Sequence, residues 1–216
     1  MRTTSKRNWL RAAALSAATF VCVVPQASAT TITFDDLPTP VAGGSLIPNG
    51  YDGLTWTNFS YIKGASISPS GLKNGVVSTP DVAFNKNGNV ASFSSTTPFE
   101  VVDLELTSAW DNGLFVSIVG SLSGQAIKSF GGFFNTSGPI LVTLDWPTVT
   151  EVSFSATCIS GPCSSAGFRG GSGTVFAIDN LNIAPSPAPL PAALPLFAGG
   201  LGALGLLARR RRKTAP

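Results

Sequence analysis

The chain has 216 residues, with 14 basic and 11 acidic side chains and no histidine. The missing imidazole excludes Ser-His-Asp and Cys-His catalysis. Nine of the basic residues lie before residue 12 or between 209 and 213, so residues 30–184 carry five basic against 11 acidic residues, a formal charge of −6; this leaves no Lys/Arg cluster to displace counterions from a nucleic acid.

The N-terminus places Arg2, Lys6, Arg7 and Arg11 before an apolar run from Ala12 to Val24, and closes with QASA at Ala29. A basic segment, a short apolar segment and an A-x-A site predict a secretory signal peptide over 1–29. The run is too short to span a bilayer comfortably as an anchor. Residues 30–184 form one domain, long enough to bury a core. Its apolar stretches are short, β-branched or aromatic, and end at Gly, Pro, Asn or Asp. They predict strands at 31–37, 53–62, 90–95, 99–109, 114–122, 125–134, 140–146, 151–158 and 174–183. SLSGQ and DWPTVT read as hairpin connections. No stretch holds a helical period for three turns, so the domain is expected to be all-β, an antiparallel sandwich of jelly-roll type. In such sandwiches the first and last strands lie near one another, and ITFDDL is expected to pair with FAIDNLNI.

Alternation assigns faces along each strand. It groups Val102, Leu104 and Leu106 against Asp103 and Glu105, and turns Val152, Phe154 and Ala156 inward. In YDGLTWTNFSY it sets Leu54 and Trp56 opposite Phe59 and Tyr61. Both faces of that strand then carry aromatics, so one could stack on sugar rings. Trp56, Tyr61 and Trp110 (the last at a strand end) are the ligand-binding candidates, weighed against plain core packing. The domain's two cysteines, Cys158 and Cys163 in CISGPC, read as a local disulfide in an exported chain. Closing so short a loop contributes roughly 2 kcal/mol. An export route without oxidants would leave two thiols instead.

Catalytic motifs are sparse. GSLSG lacks the serine position of a nucleophile elbow, and GFRGGSGT lacks the lysine and following helix of a phosphate loop. Asp103, Glu105 and Asp111 are the carboxyls that a polysaccharide-acting enzyme, hydrolase or lyase, would use. Their close spacing reads more naturally as a solvated face. A structural Ca²⁺ could take oxygens from Asp35, Asp36, Asp179 and Asn180 if the terminal strands pair; the plainer role of these residues is to cap turns.

The pattern ITFDDL, PNGYDGLTWTNF, FEVVDLELTSAWDNGLFVSIVG, GPILVTLDWPTVTEVSF and FAIDNLNI, spanning most of 31–183, resembles a group of exported bacterial jelly-roll domains. These are similar in layout to carbohydrate-binding modules. The resemblance implies the fold more than the ligand.

The C-terminus has three parts in order. A Pro-rich linker and motif over 185–191 ends in Pro187, Ala188, Pro189, Leu190, Pro191 and Ala192. The uncharged run 190–208 follows, 19 residues long, which as a helix spans about 28 Å and matches a bilayer core. Arg209, Arg210, Arg211, Arg212 and Lys213 then begin a basic tail, 209–216, that would stay cytoplasmic. Alternating prolines force an extended, accessible segment at the membrane face. Together these parts resemble the PEP-CTERM sorting signal in its VPLPA-type variant, with Ala188 in place of Val and Leu190 in place of the Glu of the main form. The resemblance implies recognition and cleavage by exosortase, a membrane cysteine protease-transpeptidase, in a Gram-negative bacterium that makes extracellular polysaccharide. The expected protein is therefore exported, anchored in the inner membrane during processing, then released to the cell surface or matrix. There it would serve biofilm or floc formation by associating with exopolysaccharide, without catalysis. The competing expectations are a polysaccharide-acting enzyme and a purely structural surface protein.

Overall fold

The computed structural model of the protein describes residues 28–159, 173–186 and 199–201. The expected signal segment before residue 28, Cys163, the motif 187–192, the basic residues 209–213 and all of the apolar run except 199–201 lie outside them. Among the described residues no helix is long and apolar enough to cross a membrane.

Ten antiparallel strands form the domain: β1 Thr30–Ile32, β2 Ser45–Leu46, β3 Thr55–Thr57, β4 Phe59–Lys63, β5 Asp81–Asn85, β6 Ala91–Ser108, β7 Leu114–Leu122, β8 Gln125–Phe134, β9 Ile140–Cys158 and β10 Phe176–Pro185. One short helix, α1 Gly71–Asn74, precedes β5. β6 and β9 are long enough to serve two layers. Residues 91–94 of β6 pair with 151–154 of β9, whereas 99–106 pair with 140–149, with register shifts between. The first layer runs β2–β4–β5–β10, then the second half of β6, then the first half of β9. The other layer runs β3, the first half of β6, the second half of β9, β7 and β8. β1 pairs with the far half of β10, Thr30 against Ile183 and Ile32 against Leu181, as expected of the terminal strands. With β2 to β5 set aside as an insertion, the remaining segments follow the order of an eight-stranded jelly roll.

The layers meet through aromatic rings. Phe154 of one layer lies 5.7 Å from both Phe59 and Phe176 of the other, measured between ring centroids. Phe93 stands 5.8 Å from Phe154 within its own layer. A smaller apolar cluster sits on the outer face of the first layer, where Leu72 of α1 covers Ile62, Val82, Phe84, Ala109 and Ala177. Ser70 caps α1 by accepting from the Lys73 N–H. Gly71 is required there because a Cβ would lie 1.7 Å from the Ser108 carbonyl oxygen. Gly71→Ala is expected to lift α1 off the sheet and cost about 2–3 kcal/mol in urea unfolding, at the upper end of overpacking penalties.

Several expectations need correction. Asn58, at φ 55, breaks the stretch 53–62 into β3 and β4, which belong to different layers. Leu54, Trp56, Phe59 and Tyr61 therefore all reach one core, from opposite sides, and none is on an outer face. SLSGQ does make the β7–β8 hairpin, with Ser123 at φ 51 and Gly124 at φ 79, the doubly left-handed geometry that matches strand twist. DWPTVT is no hairpin: it lies within β9 and carries that strand from one layer to the other, with Asp145 at φ 47. A register shift between Val101 and Asp103 displaces the alternation, so that Val101 is fully buried in place of Val102. Residues 81–85, here a buried strand, carried too short an apolar run to be singled out.

Candidate functional site

β6 ends at Ser108, and the chain turns across the outer face of the first layer at Ala109 and Trp110. Among the described residues Trp110 is the one tryptophan that is not buried. It packs on the smaller cluster and borders an open cleft of about 380 Å³, with Ile62, Ile67, Leu72, Phe84 and Asn87. Asn87 sits in the turn Lys86–Gly88 at φ 58 and supplies the polar side chain of the cleft. The indole, flanked by one amide and backed by the buried Phe84, makes a small apolar surface with a single hydrogen-bonding handle. Such a surface accepts the C–H face of a flat, uncharged ring.

The other two aromatic candidates are elsewhere. Trp56 is 6% exposed, its Nε1–H donating to the Tyr51 carbonyl at 3.1 Å. Tyr61 is 4% exposed and its hydroxyl donates to the Pro38 carbonyl at 2.7 Å. Both are core residues with satisfied polar tips.

A second cleft, of about 370 Å³, lies between Asp52, Ser95, Thr97 and the end of β10 at Pro185 and Ser186. Its aromatic ring, Phe99, is 5% exposed and offers no platform. Asp52 stands at φ 49, and burial, then the charge of Asp36, raises its carboxyl above the usual range.

The carboxyls considered for catalysis do not line either cleft. Asp103 accepts from the Asn182 side-chain amide, and Asn182 in turn accepts from the Thr31 hydroxyl. Glu105 lies on the same strand, its carboxyl pushed up by burial and then by Asp103. Asp111 follows Trp110 in the turn, its N–H donating to the Ser108 hydroxyl.

The four predicted cation ligands separate into two kinds. Asp179 is fully buried, and both its oxygens are taken. Oδ2 accepts from the Val77 and Ser78 N–H groups, and Oδ1 from the Ser78 hydroxyl and the Asn180 N–H. Burial outweighs these donors and lifts its pKa to about 6. Asp36 accepts from the Tyr51 hydroxyl at 2.7 Å, which with burial pushes the phenol up. A carboxylate filled by N–H and O–H donors presents no lone pair to a cation, so Asp179 acts as a loop clamp, whereas Asp36 is exposed and tied by one oxygen to Tyr51. Among the described residues no three carboxylates, thiolates or imidazoles gather in a metal-binding group. Asp35 and Asn180 remain, beside a residue that sequence reading missed. Asp81 is 3% exposed, and its N–H donates to Asp35 Oδ1 at 2.8 Å. Burial, then Asp35, raises the Asp81 carboxyl, with Lys63 opposing. Cys158 ends β9 and is disulfide-bonded; Cys163, its expected partner, lies outside the described residues.

No family model matches the chain, and no curated protein matches it. Among solved structures it is similar to the carbohydrate-binding module TmCBM61, determined in complex with β-1,4-galactotriose. The TM-score is 0.35 and the identity 10%, over 63% of this chain and 93% of that one. A likeness of that degree carries no argument, so fold and ligand rest on the chain's own residues.

Proposed function

We propose that the protein is an exported, non-catalytic domain of the cell surface or matrix that associates with exopolysaccharide through the Trp110 cleft. The half-buried indole beside Asn87 is the observation that carries this reading. It offers stacking surface and one amide to a neutral sugar ring, in a domain whose net negative charge disfavours acidic partners. Export follows from the N-terminal segment. The order of Pro-rich motif, apolar run and arginines supports processing by exosortase near 187–192 and release from the inner membrane, with a place in biofilm or floc.

In the mature protein, Trp110→Ala is expected to weaken binding to the host's own exopolysaccharide about tenfold, the equivalent of one lost stacking contact. Because the indole is only half-buried, the variant should stay folded. Unchanged affinity on a polysaccharide-coated surface would overturn the site. Turnover of that polysaccharide, abolished by Asp103→Asn or Glu105→Gln, would replace the binding reading with an enzymatic one. Mass spectrometry of the protein from its host tests sorting, since a mature chain still ending at Pro216 rejects cleavage.

A further inference from the structure

We propose that Asp35, Asp81 and Asn180 form a calcium site where the end of β1, the start of β5 and the middle of β10 meet. Two oxygen atoms there are buried without a hydrogen-bond partner, Asp81 Oδ1 and Asn180 Oδ1. A buried polar atom without a partner costs about 1–3 kcal/mol, more when charged, so each such atom calls for a water or an ion. Both orphans are oxygens, and no donor, the Asn180 amide nitrogen included, reaches Asp81 Oδ1. The group that completes them must bring positive charge or donors.

The backbone brings the three residues to one place. β10 pairs first with β5, Ile178 against Ala83, then with β1, Leu181 against Ile32. The β5 pairing stops at Ile178 and the β1 pairing starts at Leu181, so Asn180 lies in the gap where β10 exchanges one partner for the other, past Ala83 on the Asp81 side. Asn180 is at φ 46 at that exchange. On the β1 side Phe34, at φ 65, turns the chain so that Asp35 holds the Asp81 N–H. Two carboxylates are thereby fixed side by side, the arrangement that a divalent cation relieves. Lys63 lies across from Asp81 in register, but it is exposed and Asp81 Oδ1 has no bond to it.

The donor set is oxygen only, without thiolate or imidazole, which selects a hard cation over zinc or copper. Two carboxylates and an amide leave room for main-chain oxygens and water, the irregular shell that calcium tolerates and magnesium does not. So few charges suit a dissociation constant of about 10⁻⁴ M, in the range of extracellular modules.

The test uses the full-length protein, stripped with chelator and titrated with CaCl₂ alone. Near 10 mM, about a hundred times the expected dissociation constant, the Tm should rise by about 5–10 °C. Asp35→Asn keeps an oxygen for the Asp81 N–H and should fold, yet lose most of the rise; Asp81→Asn should lose it as well. Asp36→Asn, whose carboxylate serves Tyr51, should keep the full rise. A wild type unmoved by calcium overturns the site, as does a full rise in the Asp35 and Asp81 variants. An equal rise in MgCl₂ overturns its assignment to calcium.

Discussion

Asp179→Leu is expected to lower the unfolding free energy by about 2–4 kcal/mol at pH 7. The carboxylate joins β10 to residues 77–78 through three donors and accepts a fourth from Asn180 of β10 itself, and leucine leaves the N–H groups of Val77, Ser78 and Asn180 without acceptors. Each such group costs about 1–3 kcal/mol when buried, and loss of the buried charge offsets part of the sum. Urea unfolding measures the total, and hydrogen exchange should show Val77 and Ser78 losing protection first. The pH dependence has a defined sign. Folding raises this pKa from 3.8 to about 6, so the folded state binds the proton more tightly than the unfolded state does. The Asp179 contribution is therefore full below about pH 4 and is lost as pH rises through 6, by on the order of 2–3 kcal/mol. Asp179→Asn should flatten that part of the stability profile. A wild-type profile that rises from pH 4 to 7, with the same slope in the variant, would show that other groups govern it.

Trp56→Ala should cost about 3–5 kcal/mol, the range for deleting a large buried aromatic side chain. The indole meets Phe34 at 5.7 Å and Phe59 at 5.6 Å edge to face, and Phe93 at 5.3 Å. It joins the turn after β2 to both layers, so its removal opens the core instead of trimming an edge. In a domain of this size the Tm should fall by about 10 °C or more. The folded fraction of the variant should bind polysaccharide as the wild type does, the reverse of Trp110→Ala. If Trp56→Ala left the Tm within a degree and weakened binding, the assignments of the two tryptophans would have to be exchanged.

Much of the sandwich was legible because strand periodicity is local. The boundaries of β7 and β8 were read directly from LFVSIVGSL and QAIKSFGGFF, and the inward set Val152, Phe154 and Ala156 follows from alternation alone. The misreadings share a cause. At Asn58, at Asp145 and between Val101 and Asp103, a left-handed residue or a bulge resets which face the next side chain takes. Asn and Asp enter that conformation at little cost, but nothing in the neighbouring residues says whether they do. Asp81 went unnoticed for a related reason: one acid at a strand start is unremarkable until Asp35, from the segment after β1, is brought against it.

By itself the sequence determined that residues 30–184 are a histidine-free, acidic, all-β domain, since composition and period-2 patterning need no knowledge of distant contacts. It also set the pairing of the first and last strands as an expectation. Only the tertiary structure decided which aromatics are core and which of the described tryptophans borders a cleft. It also decided that the Asp179 carboxylate is filled by donors, while Asp81 Oδ1 and Asn180 Oδ1 are buried without one. The physical reason is that exposure and hydrogen-bond satisfaction depend on where β6 and β9 cross between layers, and that crossing is settled by long-range packing.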